Sequence, residues 1–148
     1  MKSDQELEDE AIEFARAHKN EIARELTDPQ KFPSDTAPVS VFMAGSPGAG
    51  KTESSRRLIE RFSTDGHAVL RIDSDDLRIR FSAYNGKNSS IFQPATSILA
   101  DRMQDYALDQ EQNYVFDGTL VPWLFFCLLF YLGFLNHIIS LIRRAILI

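Results

Sequence analysis

The residues best suited to chemistry in this chain are Gly45-Ser46-Pro47-Gly48-Ala49-Gly50-Lys51-Thr52, which fit the pattern G-x-x-x-x-G-K-[ST]. The glycines let the backbone curl so that successive N–H groups face phosphate oxygens. Lys51 supplies a mobile positive charge for the β- and γ-phosphates of ATP, and the Thr52 hydroxyl is a ligand for Mg2+. A random sequence of this length should hold on the order of 0.005 such matches, so chance is a poor explanation. A plain glycine turn between a strand and a helix would not require Lys51-Thr52.

Two acidic clusters each follow an apolar run: Asp73-Ser74-Asp75-Asp76 and Asp117-Gly118-Thr119. In a parallel α/β sheet, ligands gather at the carboxyl ends of strands, where both clusters fall. Asp73 is the first polar residue after its strand, so its carboxylate is expected to enter the cleft beside the phosphates. There it could accept the proton of a hydroxyl attacking the γ-phosphate. Asp117 ends its strand as a Walker-B acid does and would hold Mg2+ directly or through water. Aspartate is also a common helix N-cap; that reading is taken for Asp76 and left open for Asp75.

These groups need elements to carry them. The run 38–44 is short, apolar and β-branched, as a buried parallel strand is, and 52–62 reads as a helix with Leu58, Ile59 and Phe62 facing a core. Strand, glycine loop and helix together aim a helix N-terminus at an anion. Upstream, 3–27 reads as an amphipathic helix opened by the capping box Ser3–Glu6, with Leu7, Ala11, Phe14, Ala15, Ile22 and Leu26 recurring on one face. His18 falls near that stripe and reads as a partly buried packing residue. Prolines at 29, 33 and 38 make 28–38 a loop. A second strand is expected at 67–72, a short helix and surface loop over 77–90, a helix at 94–110 and a third strand at 113–116. The helix at 94–110 would bury Ile98, Leu99, Met103, Tyr106 and Ala107. The alternation predicts an α/β fold: a P-loop NTPase-like parallel sheet with flanking helices, incomplete at its C-terminal end.

At 148 residues the chain is one domain's worth. A net charge of −5 argues against a dedicated nucleic-acid binder, which normally carries a basic patch. The single cysteine, Cys127, rules out an internal disulfide framework and suits a reducing cytoplasm. The first residues lack the basic and apolar regions of a signal peptide, so a cytoplasmic protein is expected. The averages hide a break: all 21 acidic residues and 14 of the 16 basic ones lie before Leu120, giving −7 there and +2 after it. Three segments are therefore read: 1–38 as N-terminal helix and linker, 39–119 as the phosphate-binding core, and 120–148 as a hydrophobic tail.

Val41 to Thr52, Arg71-Ile72-Asp73-Ser74-Asp75-Asp76-Leu77-Arg78 and Val115-Phe116-Asp117-Gly118-Thr119, taken together, resemble the zeta toxin family. Its members are P-loop kinases that phosphorylate UDP-N-acetylglucosamine and occur as the toxins of toxin–antitoxin systems. The I-D-x-D and [ED]-G-T motifs both stand at suitable spacing from the loop, and Asp101-Arg102-Met103 between them is also similar. The resemblance spans about 39–119. It implies that Lys51 and Thr52 bind ATP and Mg2+, that Asp73 is the base for a sugar hydroxyl, and that Thr119 contacts the sugar-nucleotide, with Asp75 a further candidate contact. An antitoxin protein is the partner it suggests. Adenylate-kinase-like and other small-metabolite kinases share the ATP site and stand as the alternative, as does a catalytically dead nucleotide-binding remnant.

The pattern stops at Leu120. Zeta-type kinases need further strands and a lid whose arginines neutralise transition-state charge, an effect worth about 10³–10⁵ in rate in phosphoryl transfer generally. Arg143 and Arg144 match nothing in the family and take no such role. Val121 to Ile142 carries no formal charge and as a helix would reach about 33 Å, enough to cross a hydrocarbon core of about 30 Å. The tail reads as a membrane segment, as a core element completing the sheet, or, the favoured reading, as sequence translated out of its original frame. Membrane contact follows only from the first.

Overall fold

The computed structural model describes residues 2–43 and 50–117, with Lys51 described by its backbone alone. Helix α1 spans Asp4–Leu26 and begins at the expected capping box: the Glu6 N–H donates to Ser3 Oγ at 3.2 Å, and the Ser3 N–H donates to Glu6 Oε2 at 2.7 Å. Its buried stripe is Ala11, Ala15, Ile22 and Ala23. Three of the four are alanines, which let a second helix approach closely. Phe14 remains 38% exposed, and His18, expected to be partly buried, lies exposed against it with ring centroids 4.5 Å apart.

Strand β1 (Ser40–Met43) leads towards helix α2 (Lys51–Thr64), followed by β2 (Val69–Asp73). Gly50 precedes α2 at φ +72°, with open space where a Cβ would lie. The glycine there serves backbone conformation, since the left-handed region penalises other residues. Between β2 and the next helix run two 3-10 turns, Asp76–Arg80 and Ser89–Phe92, where a short helix and loop were expected. Helix α3 (Gln93–Asp109) carries proline in its first turn, and β3 is Asn113–Asp117.

The three strands form one parallel sheet in the order β1-β3-β2, with helices flanking it, as the α/β pattern predicts. The chain's last described strand is thus the central one, pairing Val41 with Val115 on one side and Arg71 with Val115 on the other. Leu70, Ile72, Tyr114, Phe42 and Phe116 form the sheet face that joins the core with α1 and α3. In α3 the buried positions are Ala95, Thr96, Leu99, Ala100, Met103, Gln104 and Ala107; Ile98 and Tyr106 are only partly buried, so the stripe is rotated from the expected one. Arg102, of the triad 101–103, bonds Asn20 Oδ1 at 2.7 Å and stacks 4.6 Å from the Tyr106 ring centroid, which ties α3 to α1.

The 28–38 loop is mostly exposed but is fastened by side chains. Gln112, buried, donates to the carbonyls of Thr27 and Phe32 at 2.9 and 2.6 Å. Asn113 donates to Asp35 Oδ2 at 2.9 Å and accepts from the Val39 N–H at 2.8 Å. These bonds set where β1 starts relative to β3. The opposite sheet face, with Arg71, Asp73, Val115 and Asp117, looks towards α2 by strand alternation. Leu58, Ile59 and Phe62 of α2, expected to face the core, are half-buried, and among the described side chains of that helix the fully buried one is Ser55.

Candidate active site

Strand alternation decides which side chains meet. Arg71 and Asp73 are two apart on β2 and share a face, and Asp73 is the register partner of Asp117 on β3. The two expected acids are therefore brought abreast at the carboxyl edge of neighbouring strands. Both are largely withdrawn from water: the side chains of Asp73 and Asp117 are 10% and 6% exposed.

Between them sits a residue that motif reading missed. The Arg71 guanidinium, 16% exposed, donates through Nη2 to Asp73 Oδ2 and, at 3.0 Å, to Asp117 Oδ2. Nη1 donates to Asp76 Oδ2 at 2.6 Å, and Nε to Ser55 Oγ at 3.3 Å. Asp76, read in the sequence as a cap, instead turns its carboxylate to Arg71, and no side-chain cap opens the 3-10 turn. The signal for Arg71 was present: an arginine two residues before Asp73 on a buried strand must point to the same side as that acid.

Ser55 completes the cluster. Its hydroxyl lies 3.0 Å from the Thr52 carbonyl and 3.3 Å from Asp117 Oδ2, so the first turn of α2 is tied to the end of β3. Ser55 stands three residues after Thr52, one helical turn on, and faces the sheet because that is where the turn returns. Thr52 itself is exposed in the first turn of α2.

Burial pushes the Asp73 carboxyl above its usual range, reinforced by the neighbouring Asp76 and Asp117 carboxylates. The Asp75 N–H, donating to Asp73 Oδ1 at 2.8 Å, and the Arg71 charge oppose this without cancelling it. Asp75 directs its own carboxylate outward to Arg78 at 2.9 Å. Gly45, Ser46, Pro47, Gly48, Ala49 and Thr119 lie outside the described residues, as do the tail 120–148 and its Val121–Ile142 run.

The donor set suits Mg2+. The Thr52 hydroxyl and the Asp117 carboxylate are hard oxygen ligands, the type that cation prefers. Among the described residues no group of three or more His, Cys, Asp or Glu side chains forms a metal cage. None is required, because Mg2+ beside a nucleotide is held by one or two protein oxygens together with phosphates and water. Among the described residues, too, no helix is long and apolar enough to cross a membrane.

Comparisons with known proteins bear on the fold and on the family. A solved chain from work on the PezAT chromosomal toxin–antitoxin system of Streptococcus pneumoniae matches with a TM-score of 0.55 at 19% identity. The match covers 72% of this chain and 45% of that one, so this chain spans less than half its neighbour's length. At such identity the likeness concerns the fold, a P-loop NTPase-like α/β sheet. No curated protein matches the sequence. The family model for Zeta toxin matches residues 22–126, from inside α1 to beyond β3, a wider span than the motifs alone cover. Members of that family are kinase-like phosphotransferases of the P-loop class, which as a class use ATP and Mg2+. With most of its length matched, this chain belongs to the zeta toxin family.

Proposed function

We propose that the chain transfers the γ-phosphate of ATP to a hydroxyl of UDP-N-acetylglucosamine. The observation that supports this best is Asp73 abreast of Asp117 at the sheet edge, tied through Ser55 to the first turn of α2. In this reading Gly45 to Thr52 cradle the triphosphate, Lys51 neutralises the β- and γ-phosphates, and Thr52 and Asp117 hold Mg2+. Bound there, Mg2+ would supply charge neutralisation and orientation for the phosphates. The acceptor oxygen forms a bond to the γ-phosphorus as the bond to the bridging oxygen of ADP breaks, and the hydroxyl proton passes to Asp73. Burial that raises the affinity of Asp73 for a proton favours that transfer. Asp75 and Thr119 are the proposed sugar-nucleotide contacts.

The rest of the reading follows the same division. Residues 1–38 form an N-terminal helix and linker, 39–119 the kinase core, and 120–148 a tail. An antitoxin protein is the proposed partner, on the strength of the toxin–antitoxin system named for the neighbouring structure. The cytoplasm is the proposed compartment. A second reading, ATP binding without turnover, is supported by the hold of Arg71 and the Asp75 N–H on both oxygens of Asp73. A base so engaged must be released before it can act.

Labelled phosphate transfer from ATP to UDP-N-acetylglucosamine, measured beside ATP binding, tests both. Asp73→Asn should abolish transfer and keep ATP binding, and Lys51→Ala should lose ATP binding itself. Transfer unaffected by Asp73→Asn would sink the mechanism. ATP binding with no transfer to any sugar-nucleotide would leave the second reading standing.

A further inference from the structure

Arg71 is an unusual residue to find on a sheet face turned towards a phosphate-binding helix. All three of its guanidinium nitrogens are committed, to Asp73, Asp76, Asp117 and Ser55. A buried charge is costly unless it is paired, and here one cation serves three carboxylates. Asp73 and Asp117 share a single donor, Nη2, so their oxygens converge on one point. With that cation removed, the acids would face each other across adjacent strands, where like charges repel. The planar fork of arginine can reach several carboxylates at once, whereas a lysine would offer a single point charge.

We infer that Arg71 is a positioning residue that acts as a built-in counter-cation for Asp73 and Asp117, and that it competes with Mg2+ for Asp117 Oδ2. The inference rests on the proposed role of Asp117 as a Mg2+ ligand. An oxygen already accepting from Nη2 is a weaker ligand, and a divalent cation brought beside a guanidinium is repelled by it. Arg71 thus holds the acids in register before nucleotide arrives and lowers the affinity of the site for metal. Coupling between two such ligands of one group typically amounts to 5- to 150-fold in affinity, and about tenfold is expected here.

The test follows Mg2+ rather than turnover. Unfolding temperature is measured in EDTA and across a Mg2+ titration, and the Mg2+ midpoint for ADP binding is measured by calorimetry, on the full chain. Arg71→Gln should unfold at lower temperature in EDTA, bind Mg2+ about tenfold more tightly, and recover part of its stability as Mg2+ is added. Arg71→Lys should fall between it and the parent. An unchanged Mg2+ midpoint in Arg71→Gln overturns the inference; if that variant does not fold in EDTA, an unchanged midpoint in Arg71→Lys does so. Asp117→Asn separates the two layers. Mg2+ dependence equal to the parent's in that variant removes the metal reading and the inference with it. Dependence lost there but unmoved in Arg71→Gln removes the inference alone.

Discussion

Replacing Ser55 by alanine is the perturbation that best tests whether the site is built as described. Alanine is the better helix former by about 0.5 kcal/mol, so in an exposed helix the change would stabilise. Ser55 is fully buried, and its hydroxyl proton is shared between the Thr52 carbonyl and Asp117 Oδ2 while its oxygen accepts from Arg71 Nε. Loss of that oxygen leaves the Arg71 Nε donor, on a side chain only 16% exposed, without this acceptor, a cost of about 1–3 kcal/mol. At 3.3 Å these bonds are longer than the usual range of about 2.5–3.2 Å and are correspondingly weak. Set against the gain in propensity, the net loss should be about 1.5 kcal/mol. With a urea slope of about 2 kcal/mol/M, the midpoint falls by about 0.7 M. Ser54→Ala, at the exposed neighbouring position, should instead hold or gain a few tenths of a kcal/mol. Equilibrium urea unfolding of both variants decides the matter. Equal stability of the two, or a more stable Ser55→Ala, would refute the claim that Ser55 bridges α2 to the acid pair.

Two further predictions concern the frame. The Asp35 carboxylate accepts from Asn113 and from the Ala37 N–H and meets His67 Nδ1 at 2.7 Å, which lowers its pKa from 3.8 to about 2. An acid depressed in the folded state stabilises fully above its unfolded pKa, so this contribution is present above about pH 4 and is lost as pH falls through about 2. Asp35→Asn should flatten that part of the curve of unfolding free energy against pH, and an unchanged slope between pH 4 and 2 would count against the linkage. Leu99 of α3 is fully buried in the core shared with α1 and the sheet, and Leu99→Ala should destabilise by about 2–5 kcal/mol in urea unfolding. A loss below about 1 kcal/mol would mean that the α1–α3–sheet core is looser than its burial implies.

Local signals were read well where one residue type answers one local need. The capping box at Ser3 and Glu6 closed as expected, proline fell in the first turn of α3, and Gly50 took the left-handed conformation that precedes α2. Errors arose where exposure depends on a distant partner. His18 and Phe14 lie on an apolar period, yet Phe14 meets Phe81, just beyond the first 3-10 turn, and the histidine is left outside. Asp76 has the composition of a cap, but an arginine five residues earlier offers a stronger, charged partner.

The three long helices, the three strands and the acids that end two of them were legible in the sequence, because period, capping and glycine conformation act over a few residues. It also sufficed to reveal the family through three short motifs. Only the tertiary structure decided that β3 enters between β1 and β2, since strand order depends on contacts between residues far apart in the chain. That order places Asp117 beside Asp73 and closes Arg71 and Ser55 around them. Arg71 and Ser55 are unremarkable in their own segments. Together with the two acids they form a buried charge cluster beneath α2, because the pleat turns the strand residues to one face and the central strand brings that face together.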